Sequence, residues 1–106
     1  MSEFVIPTQF QLFGQTIVVQ WQENLVSCDD AVGQARFRYN KIVLQPETTS
    51  YVRPRSMIEE TYLHEVVHFA IEKISQGDEF QNNEHFVNLL AVALYQILTT
   101  GEGELL

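Results

Sequence analysis

The first half of the chain alternates apolar and polar residues, and the second half repeats its apolar residues every three or four positions. Phe10 and Leu12, then Ile17, Val19 and Trp21, alternate with polar partners on either side of Gly14. Alternation places one set of side chains on one face of a strand. Two strands are therefore expected, with a turn at Gly14-Gln15. The stretch from Glu23 to Gly33 is rich in Asn, Ser, Asp and Gly and reads as a linker. Beyond it, Ala35, Phe37 and Tyr39 face one way and Arg36 and Arg38 the other. Asn40-Lys41 suits a turn because asparagine tolerates positive φ. Ile42 to Leu44 completes this second hairpin, and Pro46 ends it.

Residues 47–54 read as a loop. Ser56 and Glu59 have the spacing of a capping box, which predicts a helix from about Met57 to Ser75 with Gly77 ending it. Its stripe is Leu63, Val66, Val67, Ala70 and Ile74. A second helix is expected from about Asn82 to Thr99. Phe80, Val87, Ala91, Tyr95 and Leu98 form one apolar face of it, and Phe86, Leu90, Ala93 and Ile97 another. A helix apolar on two sides is normally buried on both, which predicts burial beneath the sheet or a homodimer contact. The expected fold class is α+β, a small antiparallel N-terminal sheet of two hairpins followed by two main helices.

At 106 residues, 45% of them hydrophobic, the chain suits a single domain with one core. No apolar run is long enough to span a bilayer. Met1-Ser2-Glu3-Phe4 lacks a basic region and a cleavage site, so no secretory signal is expected. The single cysteine, Cys28, excludes an internal disulfide and is read as a buried or half-buried thiol without a special role. These features point to a reducing cytoplasm. A net charge of −8, from 14 acidic and 6 basic residues, argues against nucleic-acid binding. All the basic residues lie between Arg36 and Lys73. Arg36, Arg38, Lys41, Arg53 and Arg55 are better read as solvated strand and loop residues than as a positive patch.

The pentapeptide His64-Glu65-Val66-Val67-His68 carries the chemistry. On a helix its two histidines lie about 40° apart and one turn from each other, so both ring nitrogens can reach one ion. Glu65 projects roughly 100° further round, close enough to hold a metal-activated water. Two neutral imidazoles and a general base form the constellation of a zinc peptidase. The plain alternative is a helix with two unrelated surface histidines. The gathering of all three histidines of the chain between His64 and His85, on a strongly helical pattern, weighs against it.

A catalytic zinc needs a third protein ligand and an open position for water. Asp78, Glu79, Glu84 and His85 are the candidates downstream. Glu84 falls within the apolar stripe of the second helix, where a carboxylate is costly without a cation, and wheel position favours it. His85 falls on the polar side with Gln96 and Thr99. Asp78 and Glu79 follow His68 closely. Tyr39, Tyr51, Arg53, Tyr62 and Tyr95 are candidate oxyanion donors. Asn88 could orient a ligand.

The run Leu12-Phe13-Gly14-Gln15-Thr16-Ile17, the hairpin start Gly33-Gln34-Ala35-Arg36 and the helix Thr61-Tyr62-Leu63-His64-Glu65-Val66-Val67-His68 resemble a family of small phage and prophage zinc metallopeptidases. So does Asn83-Glu84-His85-Phe86-Val87 followed by Leu94-Tyr95-Gln96. The chain is also similar to the minimal metalloprotease domains of regulators that cleave phage-type repressors. The likeness covers most of residues 9 to 98, and the pentapeptide is its specific part. It implies a zincin-like domain over residues 1–106, with residues 8–45 strand-rich, 56–99 helical and metal-binding, and 100–106 a mobile tail. It also implies Glu84 as third ligand, as in the glutamate-ligand branch of the zincins. No DNA-binding element accompanies the domain, so a repressor target is not implied.

The expected function is a zinc-dependent peptidase acting on a peptide or protein substrate in a bacterial host cell. Glu65 is its general base, and His64, His68 and Glu84 hold Zn2+. The alternative is a non-catalytic module whose metal staples helices to a small sheet within a phage-related complex. A deformylase, a third reading, requires a cysteine ligand among small residues. Cys28, followed by Asp29-Asp30, lacks that setting.

Overall fold

Two hairpins form in the computed structural model, which describes residues 4–75 and 83–101. The first joins β1 (Gln9–Leu12) to β2 (Gln15–Trp21) with Leu12 opposite Gln15. Its two-residue loop is Phe13-Gly14, with φ of 49° and 79°. Positive φ at both central residues is the type I′ signature that matches strand twist. The turn thus lies one residue earlier than Gly14-Gln15, and Ile17 and Val19 point into the core. Trp21 does not. At the end of β2 it lines a shallow hollow with Pro46 and Ile58 and stays 44% exposed.

The second hairpin pairs β3 (Gly33–Arg36) with β4 (Lys41–Leu44). Here the turn is wider than Asn40-Lys41. Phe37–Tyr39 form a 3-10 turn, and Asn40 closes it at φ 50° with its N–H on the Phe37 carbonyl. Phe37 and Tyr39 therefore lie outside the strand. Phe37 packs edge-on against Phe69, and Tyr39 is exposed.

The sheet is mixed and not wholly antiparallel. Its order is β1-β2-β4-β3, with β2 and β4 parallel. The continuous burial of Ile42, Val43 and Leu44 fits a central strand. Parallel neighbours need a crossover, and the expected linker supplies part of it as a short helix, α1 (Leu25–Asp29). Leu25 is fully buried, and the buried Gln45 amide ties the helix down. Gln45 accepts from the Val26 N–H at 2.9 Å and donates to the Glu23 and Pro46 carbonyls at 2.7 and 3.0 Å. Cys28 lies on α1 and is exposed, contrary to the buried or half-buried expectation.

Two long helices follow, α2 (Arg55–Ser75) and α3 (Glu84–Thr100). Helix α2 starts two residues earlier than its capping box predicts. The Pro54 carbonyl accepts from the Met57 and Ile58 N–H groups, and Ser56 is inside the helix. Buried Glu59 is not a cap. It accepts from Arg55 Nε at 3.1 Å and from Tyr95 Oη at 2.7 Å. Asn83 caps α3, its side chain accepting from the Phe86 N–H at 3.0 Å. Gly77, Asp78, Glu79, Phe80, Asn82 and the tail beyond Gly101 lie outside the described residues.

Helix α2 is the middle layer, packed on β3 and β4 on one side and on α3 on the other. One apolar cluster runs from Ile17, Val19, Ile42 and Leu44 through Tyr62, Leu63, Val67 and Phe69 to Val87 and Ala91. The predicted stripe is partly displaced. Val66, Ala70 and Ile74 line a groove beside Phe86, Leu90 and Leu94, and Ile74 is 72% exposed. The second apolar face of α3 is not buried beneath the sheet. Phe86, Leu90 and Ile97 remain at the surface. Among the described residues no helix is long and apolar enough to cross a membrane.

Candidate metal centre

The i, i+4 spacing on α2 brings the two imidazoles edge to face, with ring centroids 4.8 Å apart and Nε2 atoms 3.2 Å apart. Helix α3 runs antiparallel to α2, and its first residue closes the triangle. Glu84 Oε2 is 3.2 Å from His64 Nε2, and Glu84 Oε1 is 3.2 Å from His68 Nε2. Donor atoms at 2.0–2.1 Å from a tetrahedral zinc stand about 3.3 Å apart. The residues present therefore fit such an ion. Among the described residues this is the group of histidine and acidic side chains that could hold a metal. His85 faces solvent outside it.

Burial lowers the His64 pKa, and the neighbouring His68 pushes the same way against Glu84. The neutral imidazole, the form that binds a metal, is thereby favoured.

Glu65 lies deeper than the helical wheel suggests. Sandwiching α2 between two layers turns Glu65 inward, 8% exposed, while the histidines sit at the seam. Burial raises its pKa from 4.5 to about 7, opposed by His68 and reinforced by Glu84. A carboxyl poised near neutrality is suited to taking up and releasing a proton. Gly33 at the start of β3 makes the room. A Cβ there would stand 3.1 Å from Glu65 Oε2 and 2.6 Å from Thr61 Cγ2. Gly33, expected only at a hairpin start, also permits this close approach, for which a glycine opening a strand is the signal in the sequence.

A cleft of about 620 Å³ opens at His64 and Glu65, with Tyr51, Arg53, Thr61 and Asn88 on its walls. The candidate donors divide accordingly. Tyr51 and Arg53 reach the cleft. Tyr62 packs among Phe4 and Phe10, and Tyr95 is spent on Glu59. Tyr39 lies on the second hairpin turn. Of the five basic residues Arg36, Arg38, Lys41, Arg53 and Arg55, three are engaged by neighbours: Arg36 pairs with Asp29, Arg55 with Glu59, and Lys41 bonds Gln20.

Comparison with protein-family models, curated proteins and solved structures finds no match to this chain.

Proposed function

We propose that the protein is a zinc-dependent peptidase of the HExxH type. The observation that carries this reading is a buried Glu65, 8% exposed, beside a two-histidine, one-carboxylate triangle with 3.2 Å edges. Two imidazoles and a carboxylate suit zinc and leave room for a solvent ligand. His64, His68 and Glu84 would hold the ion, which supplies a Lewis acid and an acidified water when bound. Glu65 accepts the proton of the attacking water and delivers it to the leaving amine. Tyr51, on the cleft wall, is a donor available to a substrate carbonyl. β3 is an edge strand of the sheet and borders the same cleft through Gly33. Its outer edge suits pairing with an extended peptide.

By resemblance of its motifs the proposal extends to a phage or prophage origin and to the host cytoplasm. A second reading, a metal staple without catalysis, draws on one observation. The donors span the seam between α2 and α3. Glu65 favours the enzyme, since a purely structural site has no use for a buried carboxyl that does not ligate.

The test is metal analysis followed by peptide digestion. Protein reconstituted with zinc should hold about one ion per chain, and His64→Ala or Glu84→Ala should lose it. Glu65→Gln should keep the ion and yield no cleavage products from a mixed peptide library by mass spectrometry. Undiminished cleavage by this variant would remove Glu65 from the mechanism.

A further inference from the structure

Arg53 differs from the other cations of the chain: four of them are held by side chains, and Arg38 is exposed where Arg53 is half-buried. Arg36 is held by Asp29 and Gln34, Arg55 by Glu59, Lys41 by Gln20, and Lys73 by Gln15 and Asn40. Among the described residues the Arg53 guanidinium has no such partner, and its Nη1 is shut off from solvent without a hydrogen bond. Arginine does not shed its charge to relieve this. A screened, charged donor is among the costliest groups to leave unpaired.

The backbone that presents Arg53 is held in place. Thr48 and Tyr51 exchange two backbone hydrogen bonds of 2.9 and 3.2 Å, and Tyr51 N–H also reaches Thr48 Oγ1. Glu47 Oε2 accepts from the Arg53 N–H at 3.0 Å. The side chain lines the cleft that contains His64 and Glu65. It also borders the hollow beside Trp21. Besides His64 and Glu65, the other titratable acid or base side chains on the cleft walls are the carboxyls of Asp30 and Glu60 and the phenol of Tyr51. Arg53 is thus the cleft's one arginine or lysine, two residues before the positive end of α2.

We infer that Arg53 is the anchor for a carboxylate of the peptide substrate, carried near the scissile bond. The inference rests on the peptidase reading and names the substrate class it handles. A carboxylate matches the guanidinium fork, and it would meet the part of the side chain that is open to the cleft. The chain's net charge of −8 repels acidic peptides elsewhere on the surface. Recognition of an acidic peptide should therefore depend steeply on this one side chain. The carboxylate can come from an Asp or Glu side chain or from a free C-terminus, and the two sources are separable by experiment.

The experiment uses three acetylated peptides built on one cleavable core. The first has Glu beside the scissile bond and an amidated C-terminus, the second Gln and an amide, and the third Gln and a free carboxyl end. The zinc-loaded protein should favour the first or the third over the second by about 10–100-fold in kcat/KM. Which of them wins identifies the source. Arg53→Gln should bring that ratio close to one, and Arg53→Lys, which keeps charge but loses the fork, should give an intermediate value. Binding of the same peptides to zinc-loaded Glu65→Gln protein, followed by the emission of Trp21, the only tryptophan, gives a readout without turnover. Cleavage with no carboxylate preference overturns the anchor and leaves the peptidase standing. An equal loss on all three peptides in Arg53→Gln also overturns it, since that marks a donor to the carbonyl. Arg53-dependent binding of the carboxylate peptides without cleavage supports the anchor and sinks the peptidase.

Discussion

Replacing Glu65 by Gln in metal-stripped protein should stabilise the fold, and more so as pH rises. The carboxyl ionises at about 4.5 in the unfolded chain and at about 7 in the folded one. Between these values the folded chain keeps a proton that the unfolded chain has released, so stability falls with rising pH. The contribution of Glu65 is fully present below about pH 4.5 and is lost as pH climbs through 7. At roughly 1.4 kcal/mol per unit, the gap amounts to about 3 kcal/mol by pH 8. Glutamine is neutral throughout and carries no such slope. Urea unfolding in the presence of a chelator, followed by Trp21 fluorescence, should give nearly equal stabilities at pH 4.5. By pH 8 the Gln variant should lead by about 3 kcal/mol. Titration of His64 is common to both proteins and cancels in the difference. Parallel stability curves across this range would refute the burial argument for Glu65.

Two further outcomes probe the surroundings of the site. Gly33→Ala should cost about 1–3 kcal/mol in urea unfolding, because its methyl meets Thr61 Cγ2 and Glu65 Oε2. Adding Thr61→Ser, which removes that Cγ2, should recover part of the loss. Tyr95→Phe should cost about 1–3 kcal/mol by the same measurement, because it strips a 2.7 Å hydrogen bond from buried Glu59.

The helices and the donor triangle were legible because their signals are local. The pentapeptide lies within two turns of one helix. The wheel position of Glu84 singled out that carboxylate, but the burial cost expected for it is absent, because its side chain is 66% exposed at the first turn of α3. Features set by distant partners were not legible. Glu59 has the spacing of a cap, yet its oxygen is taken by Tyr95, 36 residues away. Nothing near β2 announces that its neighbour is β4 and not β3. The linker concealed α1 because a five-residue helix has no periodicity, and its tether, Gln45, lies 19 residues further on. Ile74 matched the stripe by spacing alone, but α3 packs around Leu63 and Val67 and leaves it outside. The depth of Glu65 followed from α2 having neighbours on two sides, which a single-helix wheel cannot represent.

The outer helix is latched to the molecule through α2, and in the proposed site its opening residue would also be the third donor. If Glu84 ligates, ion affinity and the seating of α3 are two expressions of one equilibrium, and each must respond to the other by the same factor. A substitution such as Ala91→Gly that loosens the seam by 1 kcal/mol, without touching any donor, should weaken zinc affinity by up to about fivefold. Conversely, zinc should slow hydrogen exchange along α3 far from the ion.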